Sequence, residues 1–145
     1  IPPMPKNIIP LAMQVALGQR EVIELRKSTE TEDGSLERSF VHVIDVCRSI
    51  HASLYWLSTQ QQHCCEVINI AGEVSSIRHV LSILAETTNQ SIPVIDSEYY
   101  FSELAQIGSQ SNKAKTLLGW TAHKSLKQMI EDQWRFYQNI LSVKN

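Results

Sequence analysis

Apolar residues recur at helical spacing in several stretches of the chain, and shorter runs between them suit strands. Asn7, a residue type favoured at helix N-termini, precedes Ile8, Leu11, Ala12, Val15 and Ala16, and Gly18 supplies a stop. Pro10 falls in the first turn, where its missing N–H has no helical partner to lose. Asp45 is placed to cap a second helix that would turn Val46, Cys47, Ile50, Leu54 and Leu57 inward. A third helix, capped by Ser75 or Ser76, would bury Ile77, Val80, Leu81 and Leu84. Residues 113–118 form a short helix closed by Gly119. The clearest signal is the last, where Ser125-Leu126-Lys127-Gln128 makes a capping box. Its stripe runs Leu126, Met129, Ile130, Trp134, Tyr137 and Leu141.

Strands are expected at 22–25, 40–43, 67–70 and 92–95, with Pro93 confining the last to a sheet edge. The polar stretch 26–39 carries an Asp33-Gly34 turn, Ala71-Gly72 reads as another turn, and 58–62 as a surface loop. No internal repeat is evident. Alternation of strands and helices makes the class α/β.

Composition narrows the function classes. With 145 residues, 43% of them hydrophobic and 19% charged, the chain is ordinary globular protein of one domain or a large part of one. Lys and Arg number 13 against 15 Asp and Glu, so the clustered positive surface that a nucleic acid partner requires is not expected. No apolar run approaches the roughly 20 residues needed to cross a bilayer, which excludes a helical membrane span. Three cysteines and no secretory signal favour a reducing, cytoplasmic setting. The opening Ile1-Pro2-Pro3-Met4-Pro5 reads like the middle of a longer polypeptide.

There is no glycine-rich dinucleotide or triphosphate loop in the chain. His63-Cys64-Cys65 is a dense set of soft ligands without a second cluster to complete a tetrahedral site, and reads as a loop with incidental thiols. Cys47, on the apolar stripe of its helix, reads as a buried inert thiol. Glu30, Glu32 and Asp33 solvate a loop, and Lys113 and Lys115 lie on a solvated helix face. Two positions admit a binding role. Asn7 is either a plain cap or part of an anion site at a helix N-terminus. Arg38, just ahead of a strand, is either a surface ion-pair partner or a bidentate phosphate clamp.

The runs Pro5-Lys6-Asn7-Ile8-Ile9-Pro10, Gln14-Val15-Ala16-Leu17-Gly18 and Thr31 through Val46, with its Glu32-Asp33-Gly34, Arg38, His42-Val43 and Asp45, carry a further signal. Ile68-Asn69-Ile70-Ala71-Gly72 follows, then Asn112-Lys113-Ala114-Lys115-Thr116-Leu117-Leu118-Gly119-Trp120 and the final helix. In this order they resemble the C-terminal half of an extended short-chain dehydrogenase/reductase of the NAD-dependent epimerase/dehydratase family, in particular its nucleotide-sugar 4-epimerases. The resemblance implies that residues 1–145 are one substrate-binding domain, a piece of a longer chain whose N-terminal Rossmann half holds NAD. This domain would close over a UDP-hexose and bind no NAD alone.

Carried over, Asn7 and the N–H of Ile8 meet the diphosphate, Arg38 clamps it, Ile23 and Leu25 wall the uracil, and Glu103 meets a ribose hydroxyl. Tyr99 stands where the family has a second phosphate arginine, Ser39 where it has aspartate, and Phe40 where tyrosine is common. The family's Tyr-x-x-x-Lys acid–base pair does not occur, so no catalytic residue is assigned and the chain alone is expected to be inactive. A non-catalytic binding module of the same fold, or the lid of a nucleotide-sugar dehydratase or decarboxylase, are the alternatives.

Overall fold

A computed structural model describes residues 7–28, 36–101, 106–107 and 110–142. In chain order the elements are α1 (Ile8–Ala16), β1 (Ile23–Ser28), β2 (Glu37–Phe40), α2 (Val43–Ser58) and β3 (Glu73–Ser76), followed by α3 (Ile77–Thr88), β4 (Val94–Phe101), β5 (Gln106–Ile107), α4 (Asn112–Leu118) and α5 (Leu126–Ser142). The expected α/β class holds. Strand β1 pairs in parallel with β4, Ile23 opposite Val94 and Leu25 opposite Asp96. A second small sheet runs β3-β2-β5, antiparallel between β2 and β3 and parallel between β2 and β5.

Helices α1, α3 and α5 enclose the core with β1. Ala12, Met13, Val80, Leu84 and Ile130 are fully buried in it, and Ile23 and Leu126 nearly so. The inward face expected for α3 is the observed one, and so is that of α5 from Leu126 to Tyr137. Ser76 caps α3 by accepting the His79 N–H at 3.2 Å. The capping box of α5 closes both ways, the Gln128 N–H donating to Ser125 Oγ at 3.2 Å and the Ser125 N–H to Gln128 Oε1 at 3.1 Å. Gly18 and Gly119 follow α1 and α4 at φ +69° and +62°, the left-handed conformation that favours glycine at a helix end.

Four expectations need correction. The strand placed at 40–43 lies at Glu37–Phe40, because the chain turns into α2 two residues beyond it. The cap of α2 is His42, whose Nδ1 accepts the Ile44 N–H at 3.0 Å, and Asp45 sits buried inside the first turn. The stripe Cys47, Ile50, Leu54 and Leu57 faces outward: Cys47 is an exposed thiol, and Ile50 and Leu54 are more than half exposed. Residues 67–70 form no strand, and the ladder begins only at Glu73. Pro93 lies just outside β4, where its carbonyl accepts the Ile23 N–H at 3.0 Å.

Candidate functional site

Asn7 caps α1 from an extended conformation, its carbonyl accepting the Leu11 N–H at 3.1 Å. Its side chain forms no cap bond and is exposed. Pro10 carries no N–H, so Ile8 and Ile9 supply the orphan donors of the first turn. Both residues pack against the core, which fixes where those two N–H groups point. An anion would meet a side-chain amide and two backbone donors there, reinforced by the helix dipole.

Arg38 occupies the middle strand of its sheet, opposite Ser75 on one side and Ile107 on the other. Pairing on both edges holds its backbone, and the half-buried side chain donates from Nη1 to the Glu37 carbonyl at 2.7 Å. The same strand is tied down at both ends. The Ile77 N–H reaches the Leu36 carbonyl at 3.0 Å, and Ser39 Oγ accepts the Gly72 N–H at 3.2 Å. Asn7 and Arg38 thus sit on different elements. They are linked through the core, on which Ile8 and Phe40 both pack.

Ile23 and Leu25 are buried core residues, alternating with the exposed Glu24. Both belong to the core cluster that α1, α3 and α5 enclose. Glu103, Glu30, Glu32 and Asp33 lie outside the described residues, and Tyr99 falls within β4. Cys64 and Cys65 are exposed. Among the described residues, no group of three or more His, Cys, Asp or Glu is arranged to hold a metal ion, and no helix is long and apolar enough to cross a membrane.

A polar cluster missed by the sequence reading sits at the start of α2. Asp45 accepts the N–H groups of His123 and Lys124 at 3.0 and 2.8 Å through Oδ2, and Arg48 at 2.7 Å through Oδ1. Trp120 Nε1 donates to the Asp45 carbonyl at 2.9 Å. Burial pushes the Asp45 carboxyl up, but the two amides and Arg48 outweigh it and hold the group below its ordinary value. His42 uses its other ring nitrogen, Nε2, to meet Asp132 Oδ2 of α5 at 3.2 Å. With Nδ1 accepting, the ring proton is on Nε2. Helical spacing was the available signal: His42, Asp45 and Ser49 share one face, and that face is the buried one. These contacts tie the start of α2 to residues 120–124 and to α5.

No protein-family model matches the chain. The UDP-glucose 4-epimerase of Halalkalibacterium halodurans is 30% identical over 135 residues, covering 91% of this chain and 40% of that protein. The human UDP-glucose 4-epimerase is also 30% identical over 135 residues, covering 92% and 38%. Among solved structures, the UDP-glucose 4-epimerase of Stenotrophomonas maltophila, with bound NAD and formylated UDP-arabinopyranose, superposes with a TM-score of 0.86 at 24% identity, over 97% of this chain and 42% of that one. The chain spans about 40% of the length of the curated relatives it matches. In sequence and in fold it is therefore the counterpart of the C-terminal portion of an extended short-chain dehydrogenase/reductase of the NAD-dependent epimerase/dehydratase family, of the kind that UDP-glucose 4-epimerases carry.

Proposed function

We propose that residues 1–145 form the substrate-binding domain of an NAD-dependent nucleotide-sugar epimerase, closing over a UDP-hexose laid beside NAD on an N-terminal Rossmann half. The observation that carries this is the 30% identity to UDP-glucose 4-epimerases over nine-tenths of the chain. Two structural features support it: an exposed Asn7 whose side chain is not used as a cap, and an arginine fixed on a doubly paired strand. In this reading Asn7 and the Ile8 N–H bind the diphosphate, Arg38 clamps it, Ile23 and Leu25 of β1 wall the uracil, and Glu103 meets the ribose. NAD supplies the hydride chemistry when bound. The chain has no glycine-rich loop of its own for that cofactor, so its part is to bind and orient the sugar nucleotide.

The test is calorimetric titration of the native-length protein with UDP-glucose and, separately, TDP-glucose. UDP-glucose is expected to bind, and Arg38→Ala to weaken it at least tenfold while NAD affinity stays unchanged. An Arg38→Ala protein with undiminished affinity removes Arg38 from the site. Preference for TDP-glucose would favour a dehydratase-type lid instead. Tyr99, at the place of the family's second phosphate arginine, favours the other alternative, a binding module without catalysis; turnover of UDP-glucose by the native-length protein would exclude it.

A further inference from the structure

The last turn of α3 and one side of α5 flank a cleft of about 380 Å³, within the size range of small-molecule sites. Trp134 lines it and also packs against the core, which holds the indole in place. None of the lining residues is among those assigned to the sugar nucleotide above.

Lys127, Glu131 and Arg135 follow one another at intervals of four along α5, the spacing at which opposite charges on a helix ordinarily pair. Here they do not. Arg135 turns to Asp132 at 3.3 Å, and among the described residues the side chains of Lys127, Glu131 and Glu86 have no ion-pair or hydrogen-bond partner. Thr87 adds a further unmatched group. Its Oγ1 is the one buried side-chain polar atom among the described residues without a hydrogen-bond partner, and a buried hydroxyl left so is disfavoured. With Arg135 neutralised by Asp132, the free charges in the cleft are two carboxylates and one ammonium.

We propose that this cleft binds a free basic amino acid of the arginine and lysine class, which carries the complementary two cations and one carboxylate. Lys127 and Glu131 stand one turn apart on α5, a separation that suits the carboxylate and the ammonium on a single α-carbon. The aliphatic stem lies along the Trp134 indole, and the side-chain cation meets Glu86 of α3, with the ring face adding its own attraction for a cation. Thr87 gains a partner from the occupant by turning about χ1. The charge count argues against simpler occupants. A diamine leaves Lys127 facing a cation, a neutral amino acid leaves one carboxylate unmatched, and an inorganic anion meets two carboxylates.

Calorimetric titration of the native-length protein with L-arginine tests this. Saturable binding is expected, about three- to fivefold tighter than that of agmatine, which lacks the carboxylate, or of citrulline, which lacks the side-chain cation; exposed charge pairs are worth no more than that. Lys127→Met should erase the preference over agmatine, and Glu86→Gln the preference over citrulline. Both side chains are exposed and unpaired among the described residues, so neither change should move the thermal midpoint. Absence of saturable heat with both L-arginine and L-lysine overturns the proposal. So does binding whose preferences persist in the Lys127→Met/Glu86→Gln double variant, which would put the ligand elsewhere. Equal affinity for agmatine assigns the cleft to a diamine and overturns it too. Equal affinity for Nα-acetyl-arginine amide, the form that arginine takes inside a polypeptide, does the same by assigning the cleft to a partner protein's side chain.

Discussion

Asp45 is completely buried, yet it is held as a carboxylate by donors that come from the loop ahead of α5 and from its own helix. Replacing it by alanine orphans two amides and frees Arg48, so Asp45→Ala should cost about 3 kcal/mol of stability, read as a shift in the urea midpoint. The pH dependence has a definite sign. A folded-state value below the unfolded one means the contribution is complete above about pH 3.9 and is lost as pH falls through the lower, folded value. The wild-type protein should therefore lose stability more steeply than Asp45→Asn on acidification below pH 4, and parallel curves would refute this. At Arg38 the expected tenfold loss of UDP-glucose binding corresponds to about 1.4 kcal/mol, close to the low end for a hydrogen bond to a charged group. Asp45 was visible in the sequence as a cap candidate. Its real partners, His123 and Lys124, were not, because nothing local announces that two amides nearly eighty positions away will converge on it.

At the scale of elements, success followed locality. The Ser125–Gln128 box and the glycine stops after α1 and α4 are decided within one helical turn, and each appears where its residues placed it. The second sheet was harder. Its strand β2 needs β3 and β5, and the apolar run 40–43 drew the reading a few residues downstream of the true strand. Gly72 matters here. A Cβ at this position would run into the carbonyl of Phe40 and the Cα of Val41, both backbone and unable to swing aside. Gly72→Ala should therefore push the 71–72 segment off β2, break the paired bonds between Ser39 Oγ and the Gly72 backbone, and cost about 1–3 kcal/mol in chemical denaturation. A neutral result would mean that this segment moves away from β2 freely.

For the molecule as a whole, the chain matches only about 40% of each of its curated relatives. The acid–base pair of the resembled family is not among its 145 residues. Incubated alone with NAD and UDP-glucose, the chain is expected to give no UDP-galactose in a coupled assay, and measurable turnover would overturn its assignment as a substrate-binding portion.

The order of residues by itself determined the α/β class, the helices and most of their caps, and the family likeness through the Asn7, Arg38 and Gly119-Trp120 runs. These depend on contacts within a few residues or on residue identities, both of which are written in the chain. Tertiary structure alone decided which side of α2 is buried, that Ile23 and Leu25 pack in the core, and that 67–70 has no ladder among the described residues. Periodicity reveals that a helix has an apolar side and that a stretch suits a strand. It does not say which surface will cover that side or pair with that strand, and here the polar face of α2 won the interior through the amides and the indole that meet Asp45.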